Sequence, residues 1–517
     1  MILKNTLIYL NQFFFFIYSK FREFYLNSKI YNKKISRVRK NNLEYKPSPS
    51  LLECIVKIKE EKNNISDLSL DKIWLSKNIN NKDFTNIHSF FWLFTLDLNS
   101  PKEKVQSTIT EWINKNHNYN YLSWDIDVLS KRIISWISNA RITYEDSNDQ
   151  YKEKFDWIIK KQVNHLINEI NQSKWVDNKM IGCSAIILTG IAYNEKYFSD
   201  YGFILLKKII KVSFDNEGFP KTRNLRQLNF YLKYFILIRE WLKESQNEIS
   251  EYLDEIIYHL GQSFSLISKN VDYNFLFNGN HNSKDKNFEN QIKKLGYNFK
   301  NDLDQVGGYL FLKNKHFILA ADLGPSPDKN YSKDYQSGAL SFEFISNKIK
   351  IITNSGYFQK PKHQLNLVSK FTASQTTLGI GNSSSVNFLK CSDGTNLVKN
   401  SLKTFDKKIV SNKNLWSFEA AHDGYVKRYG IIHQRKVEFF HDTLKLIGTD
   451  KIIKKKNFKS TNFEIRFHLV PGARVMKTQD GKSIYIEIEK QGWKFTSSTH
   501  KIDLETGLYF GYKNSFI

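Results

Sequence analysis

Residues 331–388 read YSKDYQSGALSFEFISNKIKIITNSGYFQKPKHQLNLVSKFTASQTTLGIGNSSSVNF, and they decide the fold. Leu340, Phe342 and Phe344 alternate with Ser341 and Glu343. That period of two marks a half-buried strand, because successive side chains of an extended chain point to opposite faces. Two more strand-like runs follow across Asn354-Ser355-Gly356 and Gly379-Ile380-Gly381. The stretch predicts antiparallel sheet with polar residues held at its turns.

On either side of this stretch the pattern continues. It begins at Gly307-Gly308-Tyr309-Leu310-Phe311 and runs to the C-terminus. A hairpin is predicted from Ile465-Phe467-Leu469 through Gln479-Asp480-Gly481-Lys482 and back along Ile484-Ile486-Ile488, with Asp-Gly supplying the positive-φ turn positions. Many short strands of this kind predict a β-sandwich.

Upstream the period is helical from about residue 71. Ser100-Pro101-Lys102-Glu103 reads as a capping box with Pro at the first helical position, after which Val105, Ile109, Trp112 and Ile113 share one face. Apolar stripes recur at Ile126, Leu129, Ile133, Trp136, Ile137 and Ala140, and at Phe155, Ile159, Val163, Leu166 and Ile170. Further helices are predicted at about 179–193, 200–213, 225–244 and 248–268. Their short connections predict antiparallel helical hairpins, without the strict repeat of TPR or HEAT arrays. The chain thus divides into an N-terminal basic and aromatic segment with a linker (1–70, Pro47 and Pro49 marking the linker), a helical domain (71–280) and a sheet domain (281–517). With 517 residues there is room for two large cores.

Lys and Arg number 77 against 52 Asp and Glu, a net charge of +25, and the pI is about 9.5. Such a field concentrates polyanions of any kind: nucleic acid, anionic lipid or acidic polysaccharide. Lys, Asn and Ile are abundant, so compositional drift towards Lys accounts for part of the basicity as readily as a built patch does. No RNP, KH, helix-turn-helix or zinc-finger pattern accompanies the charge, so nucleic acid is not the expected partner. Cys54, Cys183 and Cys391 are odd in number and widely spaced, which argues against a disulfide framework and a structural zinc site.

At the N-terminus, the run from Leu7 to Tyr18 is apolar but broken by Asn11 and Gln12. It is shorter than the ~20 residues a spanning helix requires. Three readings stay open. A signal peptide lacks its small-residue cleavage site, since Ser19-Lys20-Phe21-Arg22 follows. A membrane-surface helix fits the aromatic run followed by Lys20, Arg22, Lys29, Lys33, Lys34, Arg37, Arg39 and Lys40. The plainest reading is a helix packed on the main body.

Several residue groups together resemble the heparinase II/III family of polysaccharide lyases. They are Gly338-Ala339-Leu340-Ser341-Phe342-Glu343, Asn354-Ser355-Gly356-Tyr357, and Ala373 to Leu378 with the Ser-rich turn beyond. The likeness extends to Ala421-His422-Asp423-Gly424-Tyr425 with Arg428-Tyr429-Gly430 and His433, and to Arg466-Phe467-His468-Leu469. Upstream it takes in Phe90-Phe91-Trp92-Leu93 through Arg223-Asn224, so that it covers roughly residues 75 to 510 as dispersed matches. The resemblance implies an α+β multidomain chain, an N-terminal incomplete α/α toroid followed by a C-terminal antiparallel β-sandwich. The implied activity is β-eliminative cleavage of an acidic, uronate-containing polysaccharide in the cleft between them. The alternative it leaves is a catalytically inactive member that binds anionic glycan in cell-envelope polysaccharide metabolism. Access to such a substrate implies the cell envelope or periplasm, the cytoplasm being the other option. Oligomeric state stays open.

Uronate β-elimination has three demands: the substrate carboxylate neutralised, a base for the C5 proton and an acid for the departing glycosidic oxygen. Lys221-Thr222-Arg223-Asn224 leads from a loop into the helix carrying Leu225, Leu228 and Leu232, and a helix N-terminus with Arg and Asn beside it favours an anion. Asn224 and Arg223 are therefore the expected neutralising pair. The plainer alternative has Asn224 as a helix cap and Arg223 solvated. Tyr357 and Tyr273 are expected as base and acid, facing one another across the interdomain cleft, although most tyrosines are core rings with a satisfied hydroxyl. His422, His433, Arg428 and His363 are expected to contact substrate, the His422–His433 segment as an exposed strand. Family members that bind a metal place ligands where this chain has Gln336, Asn354 and Gln375. Amides are poor zinc ligands, so no metal and no cofactor is expected, and the three amides are expected to satisfy one another in a hydrogen-bond network or to mark a decayed site.

Overall fold

A computed structural model describes residues 17–48, 51, 81–96, 101–268, 271, 274–281 and 286–512. The chain forms two compact units. The first comprises Met1–Val212, Lys233–Ile257 and Asn290–Leu295, and the second Ser213–Leu232, Tyr258–Glu289 and Gly296–Ile517.

The first unit is helical. Asp125 caps the helix Ile126–Ser138 by accepting from the Asp127 N–H at 3.0 Å, and Asn148 caps Asp149–Glu169 by accepting from the Tyr151 N–H at 2.8 Å. The expected stripes are the buried ones: Leu129, Ile133, Trp136 and Ile137 on the first helix, and Phe155, Ile159, Val163 and Leu166 on the second. Val176–Ala192 is buried continuously from Met180 to Ala192 and packs against both. A Cβ at Gly190 would lie 2.6 Å from the backbone nitrogen of Ser199, so glycine lets the next helix, Lys196–Ser213, start against this one. Ser100 lies outside the described residues. Pro101 itself stands at the N-cap of Lys102–Asn116 and makes no side-chain cap bond. No helix of the described residues is long and apolar enough to cross a membrane.

The second unit holds the sheets. A six-stranded antiparallel sheet runs Gln305–Val306, Tyr309–Lys313, Phe317–Asp322, Phe342–Ser346, Ile349–Thr353 and His468–Leu469 in spatial order. A four-stranded sheet runs Lys445–Lys454, Ile431–Phe440, Leu415–His422 and Thr404–Ser411, and a three-stranded one runs Arg474–Lys477, Ser483–Ile488 and Gln491–Thr496. All three contribute to one core. Leu310, Leu319, Phe342 and Phe344 of the first meet Trp416, Phe418, Val437 and Phe439 of the second and Ile484, Ile486 and Ile488 of the third. The α+β architecture with a layered β-domain is therefore as expected.

Two local readings change. Phe342–Ser346 is buried on both faces, because Glu343 on the supposedly wet face pairs with Lys350 at 2.9 Å and accepts from Thr353 Oγ1 and the Asn354 N–H, each at 3.0 Å. The outward arm of the Asp480-Gly481 hairpin is Arg474–Lys477. Ile465 pairs instead with Leu378, and Leu469 with Ile352. Partners that distant in sequence leave no trace in local alternation.

Candidate functional site

The loop ahead of Asn224 is built by its own polar groups. Asp215 accepts from the Glu217 and Phe219 N–H groups at 3.0 and 2.8 Å, and Gly218 takes φ +72° in the turn. Arg223 then adopts a left-handed φ of +56°, which turns the chain into the helix Leu225–Glu244. Asn224 caps that helix, its Oδ1 accepting from the Arg226 N–H at 2.9 Å. Its amide nitrogen points the other way and donates to Asp334 Oδ2 at 2.8 Å. The second oxygen of the same carboxylate accepts from the Tyr357 hydroxyl at 2.9 Å.

Asn224 and Tyr357 are thus brought together by a residue the sequence reading passed over. Asp334 lies inside the deciding stretch, beside Lys333 and two positions before Gln336; it and Glu343 are the two carboxylates of that stretch, which was its one signal. The Arg226 guanidinium is 3.6 Å from Asp334 Oδ2, and its side chain is 39% exposed. Burial opposes ionisation of Asp334, but the charges of Arg226, Lys333 and Lys370 and the Tyr357 hydrogen bond outweigh it and hold its pKa below the ordinary carboxylate value. Tyr357 is pushed the opposite way, well above an ordinary phenol, by burial first and the Asp334 charge second. Burial lowers Lys370 to about 8. At neutral pH the cluster therefore holds an ionised carboxylate against a protonated phenol.

Arg223 does not serve as a neutralising group for substrate. Its guanidinium is buried, stacks 4.5 Å over the Tyr309 ring, and donates to Asp322 at 2.6 Å, Gly307 O at 2.9 Å and Pro325 O at 2.8 Å. Burial works against its charge, yet Asp322 and its neighbours raise its pKa above the usual arginine value. Asn278, also unnoticed in the sequence, completes this base by donating to Tyr309 Oη at 2.5 Å and Asp322 Oδ2 at 3.1 Å while accepting from the Gln336 N–H at 3.0 Å. Tyr273 lies outside the described residues.

His422 and His433 are buried, not exposed on a glycan-contacting strand. The Gly424 N–H donates to His422 Nδ1 at 3.1 Å, so His422 carries its proton on Nε2 and donates it to His433 Nδ1 at 3.1 Å. His433 Nε2–H then donates to Asp450 at 2.6 Å, and Arg435 pairs with both Asp450 oxygens at 2.8 and 3.0 Å. Burial lowers the pKa of both histidines. Arg428 is half-buried and donates to Asn387. His363 is exposed, and its Nδ1 caps the short helix Gln364–Val368 by accepting from the Leu365 N–H at 3.2 Å.

The three amides do not satisfy one another; the main chain engages each of them, and the Asn354 amide nitrogen is left buried without a hydrogen-bond partner. Gln336 donates to Gly356 O at 2.8 Å and Ser369 O at 2.7 Å and accepts from the Gly279 N–H at 3.1 Å. Gln375 reaches the same Ser369 carbonyl at 3.3 Å, and Asn354 accepts from the Thr376 N–H at 2.8 Å. The metal that the family resemblance implies does not fit here, since these positions offer neither imidazole nor carboxylate and two of the amide oxygens already accept main-chain hydrogens. Among the described residues no group of three His, Cys, Asp or Glu side chains is arranged around a common point. A cavity of about 340 Å³ in this unit, lined by Thr372, Ala373, Thr377, Asn382, Glu464 and Arg466 among others, takes in none of the candidate residues.

Residues 302–516 match the family described as "Heparinase II/III-like, C-terminal". The fold is similar to that of a heparinase III gene product, at TM-score 0.67 and 13% identity, covering 95% of this chain and 85% of that one. It is also similar to the heparan sulfate lyase HepC from Pedobacter heparinus, at TM-score 0.61 and 12% identity, covering 94% and 83%. At such identities these two likenesses speak for the fold alone. FtsZ-localized protein C of Caulobacter vibrioides is 23% identical over 216 residues, a match spanning 40% of this chain and 37% of that protein's length. Residues 302–516 thus carry a heparinase II/III-like C-terminal domain, within a chain whose fold is similar to that of heparinase III.

Proposed function

We propose that the chain is a polysaccharide lyase-like enzyme that cleaves an acidic, uronate-containing polysaccharide by β-elimination at Asn224, Asp334 and Tyr357, in the cell envelope. One observation carries the reading: Asn224 and Tyr357 hydrogen-bond to the two oxygens of a single carboxylate. Arg226, the exposed charge of the cluster, neutralises the substrate carboxylate, which makes the C5 proton acidic, while the Asn224 amide orients Asp334. Asp334, held ionised, accepts that proton. Tyr357, held protonated, gives its own to the departing glycosidic oxygen. The Asp334–Tyr357 hydrogen bond then returns the proton from carboxyl to phenolate, and the site is restored without an external acid.

A second reading has its own support. Both donors are already engaged by Asp334 and the metal-like positions are amides, as in a non-catalytic glycan-binding member of the fold. Ultraviolet absorbance of the unsaturated product, followed over a panel of uronate polymers, separates the two. The lyase reading expects absorbance growth that falls at least about a hundredfold in Asp334→Asn and Tyr357→Phe. Tight binding of a uronate polymer with no absorbance growth from any polymer would establish the second reading.

A further inference from the structure

The three most exposed large apolar side chains of the described residues fall within ten positions of one another: Phe21 at 72%, Phe24 at 78% and Ile30 at 76%. Tyr18 and Tyr25 are exposed beside them. Residues 17–26 are helical, and at 100° per residue Tyr18, Phe21, Phe24 and Tyr25 cover one continuous arc. The other side of the segment is fastened to the helix Asp149–Glu169. Arg22 pairs with Glu169, Tyr31 Oη meets His165 Nδ1 at 2.8 Å, and Lys34 donates to Asn168 at 3.0 Å, with Leu26, Tyr31 and Ile35 buried. Residues 22–35 are therefore packed on that helix with the aromatic face left outward, while Leu7 to Phe16 of the apolar run lie outside the described residues.

Charge says what covers that face. Lys20, Lys29, Lys33, Lys34, Arg37, Arg39 and Lys40 are exposed in the same stretch of chain, and Lys29 and Lys33 have no ion-pair partner among the described residues. Aromatic rings flanked in the chain by lysines match a surface that is apolar beneath and anionic at its rim. A soluble protein partner would be expected to present carboxylates to the lysines together with an apolar groove for five side chains, whereas an anionic bilayer offers both everywhere. The geometry points to residues 18–34 as a docking surface for an anionic membrane, with Phe21, Phe24 and Ile30 entering the headgroup layer and Lys29 and Lys33 meeting lipid phosphates.

Flotation of the full chain tests this, using vesicles of phosphatidylcholine alone and of phosphatidylcholine with phosphatidylglycerol in equal parts. The protein is expected to float with the anionic vesicles and to stay behind with the neutral ones. Phe21→Ser/Phe24→Ser/Ile30→Ser should weaken partitioning about tenfold or more with an unchanged thermal midpoint, because these side chains are mostly exposed. Lys29→Glu/Lys33→Glu should weaken it and flatten its salt dependence. Equal flotation with both vesicle types, undiminished binding by the triple variant, or conversion of a vesicle-free oligomer to monomer by the triple variant would overturn the assignment.

Discussion

At Arg223 the main chain takes a left-handed turn, and the side chain closes the resulting pocket by gripping Asp322 and two carbonyls. Breaking a buried pair of this kind strands the partner's charge, so Arg223→Ala should lower the urea-derived stability of the second unit by about 3–5 kcal/mol. A role in holding substrate would instead raise KM and leave the unfolding midpoint where it is. Asn224 does two jobs with two ends of one amide. Asn224→Ser keeps a capping oxygen but loses the donor to Asp334, and should therefore hold stability within about 1 kcal/mol of the parent while turnover falls at least about tenfold. These neighbours show how far the sequence can be read at this scale. That both stand at the turn into an amphipathic helix was legible in the sequence. Which carboxylate each one meets was not, because Asp322 and Asp334 lie about a hundred residues away in the chain.

Elements set the next level. The strands Leu415–His422 and Ile431–Phe440 place His422 opposite His433, and Lys445–Lys454 brings Asp450 beside them, forming one buried proton-ordered chain that ends on Arg435. Arg435 in turn holds Leu340 O at 3.1 Å and Thr376 O at 2.8 Å, and so ties down the segments that carry Gln336 and Gln375. In the fold the pKa values of His422 and His433 are lowered by burial, and His468 is lowered to about 4. Unfolded histidine titrates near pH 6.5, so between there and pH ~4 the unfolded chain binds protons that the folded chain refuses. Stability of the second unit should accordingly fall as pH drops below about 6.5, with a shallower slope in His433→Gln; a midpoint flat from pH 7 to 5 would contradict this. The sequence marked this region through His422, His433 and Arg428 but passed over Arg435 and Asp450, because strand alternation alone does not tell a buried polar ladder from a sugar-facing one. Gly279 makes the same point for turns. It takes φ +80°, and a Cβ there would stand 2.5 Å from the Asn224 amide nitrogen. Gly279→Ala should cost about 1–3 kcal/mol and release Asn224 from Asp334.

Over the whole molecule, periodicity carried most of what was read correctly. Helical stripes gave the helices and short alternating runs the sheets, because each pattern is the local imprint of one buried face, but the second unit also takes in Ser213–Leu232 and Tyr258–Glu289 from the helical stretch. What the chain did not disclose is which strands meet. Phe344 lies 5.0 Å from Phe439 and 5.7 Å from Trp493, joining all three sheets, so Phe344→Ala should cost about 3–5 kcal/mol in denaturant unfolding. The net charge of +25 should give the molecule a general affinity for polyanions, which high salt should remove from DNA and uronate polymer alike. What would remain specific is the carboxylate that joins Asn224 to Tyr357. A double-mutant cycle on β-eliminative turnover, with Asp334→Asn and Tyr357→Phe made singly and together, addresses that claim most directly. If the pair acts as one proton-transfer unit, the double variant will be no slower than the slower single variant; losses that simply multiply, or single variants as fast as the parent, would contradict the account.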